Sequence, residues 1–142
     1  MNYLVLKILL NANSLKKNYL YIILVMPTKF QKQFSFDQRK KEASRILDKF
    51  PDKIPIIVEK GKSDKLPVID KAKYLVPQDI TVGQFMNIIR KRIKLSESEA
   101  LFIFIENNTL PSNSMSIVNI YENHKNDDGF LYITYCGENV FG

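Results

Sequence analysis

The chain has 142 residues, enough for one domain with a real core. Lys plus Arg number 21 and Asp plus Glu 15, a net charge of +6, with one Cys and one His. Those counts exclude an internal disulfide framework, a Cys-based zinc site and a multi-histidine metal site. The charge is uneven: residues 1–25 carry Lys7, Lys16 and Lys17, no acid, and mostly apolar side chains.

Two apolar runs make up this leader, Tyr3 to Leu10 and Tyr19 to Met26, parted by Asn11, Asn13, Ser14, Lys16, Lys17 and Asn18. Each is far shorter than the ~20 residues a membrane span needs. No small-residue cleavage site follows Tyr21 to Val25, as a signal peptide would want. Met26-Pro27-Thr28 reads as a start. Residues 1–25 are therefore expected to be an apolar basic leader, poorly ordered or an upstream extension of the frame. An interfacial membrane segment and a targeting peptide are the other readings. Residues 26–142 are expected to form the domain, with a tail at 137–142.

Ser35-Phe-Asp-Gln38 has the form of a capping box and opens a helix to about Lys49, with Ala43, Ile46, Leu47 and Phe50 at helical spacing and Pro51 ending it. Ile54 to Val58 is β-branched and apolar, a strand, and Gly61-Lys62 turns after it. Lys71 to Pro77 is a second strand. Thr81-Val-Gly-Gln84 repeats the capping box and opens a helix. Its inner side is expected to hold Val82, Phe85, Ile88, Ile89 and Ile93, its outer side Arg90, Lys91 and Lys94. Leu101 to Ile105 is a strand, Asn107-Asn108 a turn, Ser116 to Asn123 a short helix and Phe130 to Cys136 the last strand. A hairpin, a helix across it and two more strands is the order of an α+β, ubiquitin-like β-grasp with a four-stranded mixed sheet, here preceded by an extra helix.

Chemistry-bearing residues are sparse. Cys136 and His124 lack a third orienting group, so Cys136 reads as a packed or half-exposed strand residue and His124 as a surface residue. Glu97 and Glu99 read as solvated charge. The run Arg90-Lys91-Arg92 with Lys94 has no interleaved aromatic for base stacking, so no nucleic-acid partner is expected. No catalytic residue, metal or cofactor is expected, and the chain reads as a non-enzyme. The chain ends Phe141-Gly142, and a glycine after a β-grasp fold suits a carboxylate that other enzymes must approach closely. A tail of six residues reaches at most about 20 Å.

Phe50 to Lys60, Asp70 to Pro77, Thr81 to Phe85, Ile89 to Ile93 and Phe130 to Ile133 together resemble the ubiquitin-like autophagy modifiers. This is the autophagy-related protein eight family, with its GABA-receptor-associated and microtubule light-chain-three relatives. The resemblance covers about residues 28–142 and implies two helices before the β-grasp. It implies that Gly142 is joined to phosphatidylethanolamine by ubiquitin-activating-type and conjugating-type enzymes, and that a cysteine protease deconjugates it. Because the chain shows nothing after the glycine, conjugation is expected without prior cleavage. The protein would be cytoplasmic and, when lipidated, on autophagosomal or related membranes. A second implied activity is docking of receptor peptides with an aromatic-x-x-aliphatic motif by β-augmentation. By position the aromatic pocket falls on Glu42, Ile46, Pro55, Ile57, Lys73, Leu75 and Phe130. The aliphatic pocket falls on Tyr74, Val76, Pro77, Ile80, Phe85 and Ile88. Lys71, Lys73 and Arg92 would meet flanking acids. Strand alternation independently puts Lys71, Lys73 and Leu75 on one face and Tyr74 and Val76 on the other. Lys53, where many relatives have Arg, and Gly129, where they have a bulkier residue, depart from the pattern. A modifier of protein lysines and an unconjugated microtubule- or peptide-binding module are the competing readings.

Overall fold

The structure is a computed structural model, described here for residues 28–61, 65–105 and 109–137. The expected leader and the tail beyond Gly137 lie outside the described residues. The elements in chain order are α1 (Lys29–Gln33), α2 (Phe36–Lys49), β1 (Lys53–Lys60), β2 (Lys73–Pro77), α3 (Val82–Arg92), β3 (Phe102–Phe104), α4 (Ile117–His124) and β4 (Leu131–Cys136). The sheet order is β2-β1-β4-β3. β1 pairs antiparallel with β2, with Ile56 opposite Tyr74, and parallel with β4, with Ile57 opposite Tyr132. β3 pairs antiparallel with β4. This is the expected mixed β-grasp sheet, in which a parallel pair of strands sits at the centre and needs cover on both faces.

β1 explains that need. Ile54 to Val58 are all buried, so the strand has no solvent face. Ile54, Ile56 and Val58 join Tyr74, Val76, Leu131 and Ile133 in the main core, closed by Val82, Phe85 and Ile89 of α3 and by Ile117, Ile120 and Tyr121 of α4. Ile57 points the other way, into a smaller core with Ala43 and Ile46 of α2 and Phe130. Pro55 is tolerated inside β1 because β4 pairs only from Ile56 onward, and a proline without an N–H leaves no broken ladder bond there.

Both expected capping boxes are present, at Ser35–Gln38 and Thr81–Gln84. A third, Thr28–Gln31, opens α1, which pattern reading of the sequence missed and only the resemblance implied. Five residues are too few for a helix to persist alone. Glu59 at the end of β1 supplies what is lacking. Its carboxylate accepts the Lys29 and Phe30 backbone N–H groups at 3.1 Å each, and the Phe30 ring lies edge-on to Phe130 at 5.2 Å.

Some details differ from expectation, beyond one-residue shifts at the ends of β3, α4 and β4. β1 runs longer than Ile54–Val58, because β4 continues to pair with Glu59 and Lys60. β2 begins at Lys73, since β1 register ends there. Ile88 is 38% exposed rather than on the inner side of α3, whose buried line is Val82, Phe85 and Ile89. α3 ends on Lys94 in the left-handed region (φ 57°), with Leu95 N–H donating to Arg90 O at 2.9 Å. No helix among the described residues is long and apolar enough to cross a membrane.

α2 is tied to the turn before β4 by a buried carboxylate. Asp128 is 1% exposed. Its Oδ2 accepts from Arg39 Nη1 and from the Tyr132 hydroxyl at 2.5 Å each, and its Oδ1 accepts from Phe130 N at 2.8 Å. Burial first, then the bond to Asp128, pushes the Tyr132 hydroxyl pKa up. The turn's Gly129 has φ +93°, and a Cβ there would lie 2.9 Å from Ala43 Cβ, so glycine is needed both for the conformation and for the approach of α2. Asp128→Ala is expected to cost about 3 kcal/mol, because it strands a largely buried guanidinium and a hydroxyl. Urea denaturation measures this, and a loss below about 1 kcal/mol would contradict the assignment.

Candidate functional site: a strand edge between two helices

β2 forms one edge of the sheet. Val58 N donates to Ala72 O at 2.8 Å, so the antiparallel alternation turns the backbone groups of Tyr74 and Val76 toward β1. The N–H and C=O groups of Lys73 and Leu75 therefore face outward, the requirement for adding a further strand. Side chains alternate as expected: Lys73, Leu75 and Pro77 are exposed, Tyr74 and Val76 buried.

On the α2 side the predicted aromatic-pocket residues converge. Ile46, Pro55, Ile57 and Phe130 are buried and form a floor. Leu75, 39% exposed, forms a wall. An ion-pair bridge joins α2 to β2: Glu42 Oε1 accepts from Lys73 Nζ at 2.9 Å and from Arg45 Nη2 at 2.9 Å, and Glu42 Oε2 from Arg45 Nε at 3.1 Å. Arg45, then Lys73, holds the Glu42 carboxyl at about 2, below its ordinary 4.5.

On the α3 side the six predicted aliphatic-pocket residues divide. Tyr74, Val76 and Phe85 are sealed in the main core, and the Tyr74 ring stands edge-on to Phe85 at 6.0 Å. Pro77 and Ile88 are exposed and Ile80 half-buried, so these three supply the accessible apolar surface. The Tyr74 hydroxyl is buried without a hydrogen-bond partner among the described residues, and burial raises its pKa. Of the three predicted acid-contacting cations, Lys73 is held by Glu42. Arg92 makes a bidentate pair with Asp70 at 2.7 and 3.2 Å. Lys71 lies over the Tyr74 ring at 5.2 Å.

Other predicted residues are placed as follows. Cys136 is buried, His124 half-buried, and Glu97 and Glu99 exposed. Arg90 donates to Ser96 O and Glu99 O, so one cation of the basic run braces its own turn. Gly142 lies outside the described residues. Sequence reasoning missed Arg45, Asp70, Arg39, Asp128 and Glu59 as partners. Nothing in the pattern pairs residues 89 positions apart, whereas Thr28-Lys-Phe-Gln31 was a legible capping box.

A hairpin and a parallel strand pair wrapped on one helix, with an open edge beside it, define a protein of the ubiquitin-like class. Residues 38–142 match the family described as "Autophagy protein Atg8 ubiquitin like". Autophagy-related protein 8 of Schizosaccharomyces pombe is 56% identical over 117 residues, 82% of this chain and 96% of that protein. Autophagy-related protein 8e of Arabidopsis thaliana is 56% identical over 113 residues, 80% of this chain and 92% of that one. The crystal structure of Trypanosoma brucei ATG8 superposes with a TM-score of 0.76 at 38% identity, covering 82% of this chain and all of that one. The chain belongs to the Atg8 family of ubiquitin-like autophagy proteins.

The depressed Glu42 carboxyl links the bridge to pH. A folded-state pKa near 2 against 4.5 means the bridge's contribution is complete above about pH 4.5 and is lost as pH falls toward 2. Glu42→Gln is therefore expected to flatten the fall in denaturation midpoint between those pH values. An unchanged acid limb in the variant would count against the bridge.

Proposed function

We propose that the protein is a lipid-conjugated modifier and docking adaptor of autophagy. What supports this most directly is the outward-facing backbone of Lys73 and Leu75, placed between two apolar layers in a chain of this family. An extended receptor peptide would pair with β2. It would place an aromatic side chain over Ile46, Pro55, Ile57 and Phe130, and an aliphatic one against Pro77, Ile80 and Ile88. The aromatic ring would displace Lys73 from Glu42 and free the ammonium for an acidic residue of the peptide. Lys71 and Arg92 would add orientation and on-rate rather than large affinity.

Conjugation would use Gly142. Its carboxylate attacks the α-phosphorus of ATP and expels pyrophosphate. A thiolate of the activating-type enzyme displaces AMP, and the acyl group passes to a thiolate of the conjugating-type enzyme. The amine of phosphatidylethanolamine then expels that thiolate and loses a proton, leaving an amide. The modifier supplies only the carboxylate, and the enzymes the cysteines. Two acyl chains at about 0.8 kcal/mol per buried CH₂ hold the product on a membrane, where one is marginal. Cytoplasmic protein thereby becomes an autophagosomal membrane label, and a deconjugating cysteine protease would return it.

Leu75→Ala with Ile88→Ala removes accessible surface and spares the core. The double variant is expected to weaken an aromatic-x-x-aliphatic peptide about tenfold or more by titration calorimetry, and unchanged affinity would refute the pocket assignment. Conjugation is tested with the 142-residue chain, activating and conjugating enzymes, ATP and phosphatidylethanolamine vesicles, without protease. A lipid-sized mass increase is expected, abolished by one residue added after Gly142. A conjugate carrying a protein lysine instead would favour the competing modifier.

A further inference from the structure

The end of α3 and the turn after it carry charge that the β2 edge does not use. Arg90, Lys91 and Lys94 line an open cavity of about 350 Å³ together with Asn87, Leu95 and Glu97. Lys91 and Lys94 form no ion pair among the described residues. Ser96 stands between Leu95 and Glu97, both of which line that cavity. Its backbone is already in the grip of one of the cations: Arg90 Nη1 donates to Ser96 O at 3.1 Å and to Glu99 O at 2.8 Å. Glu99 N closes the turn on Ser96 O at 3.2 Å. The Ser96 hydroxyl donates to Glu99 Oε1 at 3.0 Å and lies 3.0 Å from the Ser98 hydroxyl. Residues 96–100 are all exposed, so these bonds face water and the turn opens at little cost.

The order Ser96-Glu-Ser-Glu99 places carboxylates one and three residues after Ser96. Among the serines and threonines of the chain only Ser96 has an acid at both positions. Ser98 has Glu99 next to it, but its third neighbour is Leu101, which is buried in the main core. An acceptor hydroxyl followed by carboxylates suits a kinase whose substrate groove is basic, since such enzymes choose substrates by charge pattern.

We infer that Ser96 is a phosphoryl acceptor for a serine kinase of that acid-directed class, and that Arg90, Lys91 and Lys94 seat the phosphate. Ser96 Oγ attacks the γ-phosphorus of ATP, the bond to the β–γ bridging oxygen breaks, ADP leaves, and the hydroxyl proton goes to the catalytic carboxylate of the kinase. The product no longer has a proton for Glu99 and is repelled by Glu97 and Glu99. The Arg90 guanidinium, already on the carbonyl of the same residue, and the ammonium groups of Lys91 and Lys94 attract it through charge-assisted hydrogen bonds. In the unmodified chain these three cations outweigh the two carboxylates by one charge. A phosphate carrying about −1.5 to −2 reverses the sign of the patch. The inference is independent of peptide docking at β2 and of conjugation at Gly142.

The full chain is incubated with ATP and an acid-directed serine kinase, and the product is mapped by mass spectrometry. One phosphate is expected, on Ser96, absent in Ser96→Ala and retained in Ser98→Ala. Glu97→Gln with Glu99→Gln is expected to lower kcat/KM for phosphorylation about tenfold or more. No uptake by the parent, uptake unchanged in Ser96→Ala, or phosphate mapped elsewhere overturns the acceptor assignment. The seat is tested by phosphorus NMR titration of the phosphorylated protein. Phosphoserine ordinarily has its second pKa near about 6, and neighbouring cations lower it. A lower midpoint is expected in the parent than in Lys91→Gln with Lys94→Gln, two exposed positions whose change spares the core. Equal midpoints overturn the assignment of the cavity as the seat.

Discussion

Two-sided burial of β1 is the constraint on which the rest of the molecule depends. A strand reading Ile-Pro-Ile-Ile-Val from residue 54 to 58 cannot show either face to water. α3 and α4 cover the side of Ile54, Ile56 and Val58; α2, with Phe30 of α1 beside it, covers Ile57. The helices before the β-grasp are thus not an appendage. They bury a sheet face that would otherwise be an apolar patch, and burying a side chain of this size is worth about 1.5–3 kcal/mol. The same arrangement leaves β2 as an open edge of the sheet. Because β2 is the outermost partner of β1, its outward-facing backbone groups lie at the sheet edge, between the face covered by α2 and the face covered by α3.

Polar contacts decide where those helices sit. Apolar burial is non-directional and would tolerate some sliding of α2 over Ile57 and Phe130. The Arg39–Asp128–Tyr132 cluster does not, since a buried carboxylate must keep its donors. Glu59 does the same for α1 by taking up N–H groups that a short helix cannot satisfy itself. A buried ion pair of this kind adds little net stability over an apolar replacement. Here it ties α2 to the start of β4, and α2 in turn carries Glu42, which pairs with Lys73 of β2.

The β2 edge turns backbone groups outward while several of its side chains are engaged within the fold. The backbone groups of Lys73 and Leu75 face outward and have no partner among the described residues, while Lys73 is paired with Glu42 of α2 and Tyr74 is buried against Phe85. An uncovered cluster of Ile46, Ile57 and Phe130 would be an aggregation hazard beside a free strand edge. An exposed salt bridge such as Lys73–Glu42 costs little to open.

Local pattern was enough for the elements with a strong period or cap: the helices opened by Ser35 and Thr81, the apolar run of β1, and the alternation of β2 that separates Lys73 and Leu75 from Tyr74 and Val76. The ordered family blocks also identified the family. Those features rest on interactions between residues three or four apart, or on the two-residue repeat of a strand, which are written directly in the order of side chains. What required the tertiary structure was everything joining distant positions. The sequence could not tell that Ile88 faces outward while Ile89 is buried, that α1 is held by Glu59, or that Arg92 is engaged by Asp70. Each of these depends on which surfaces the packed sheet and helices bring together, and a buried polar group finds its partner by that proximity rather than by spacing along the chain.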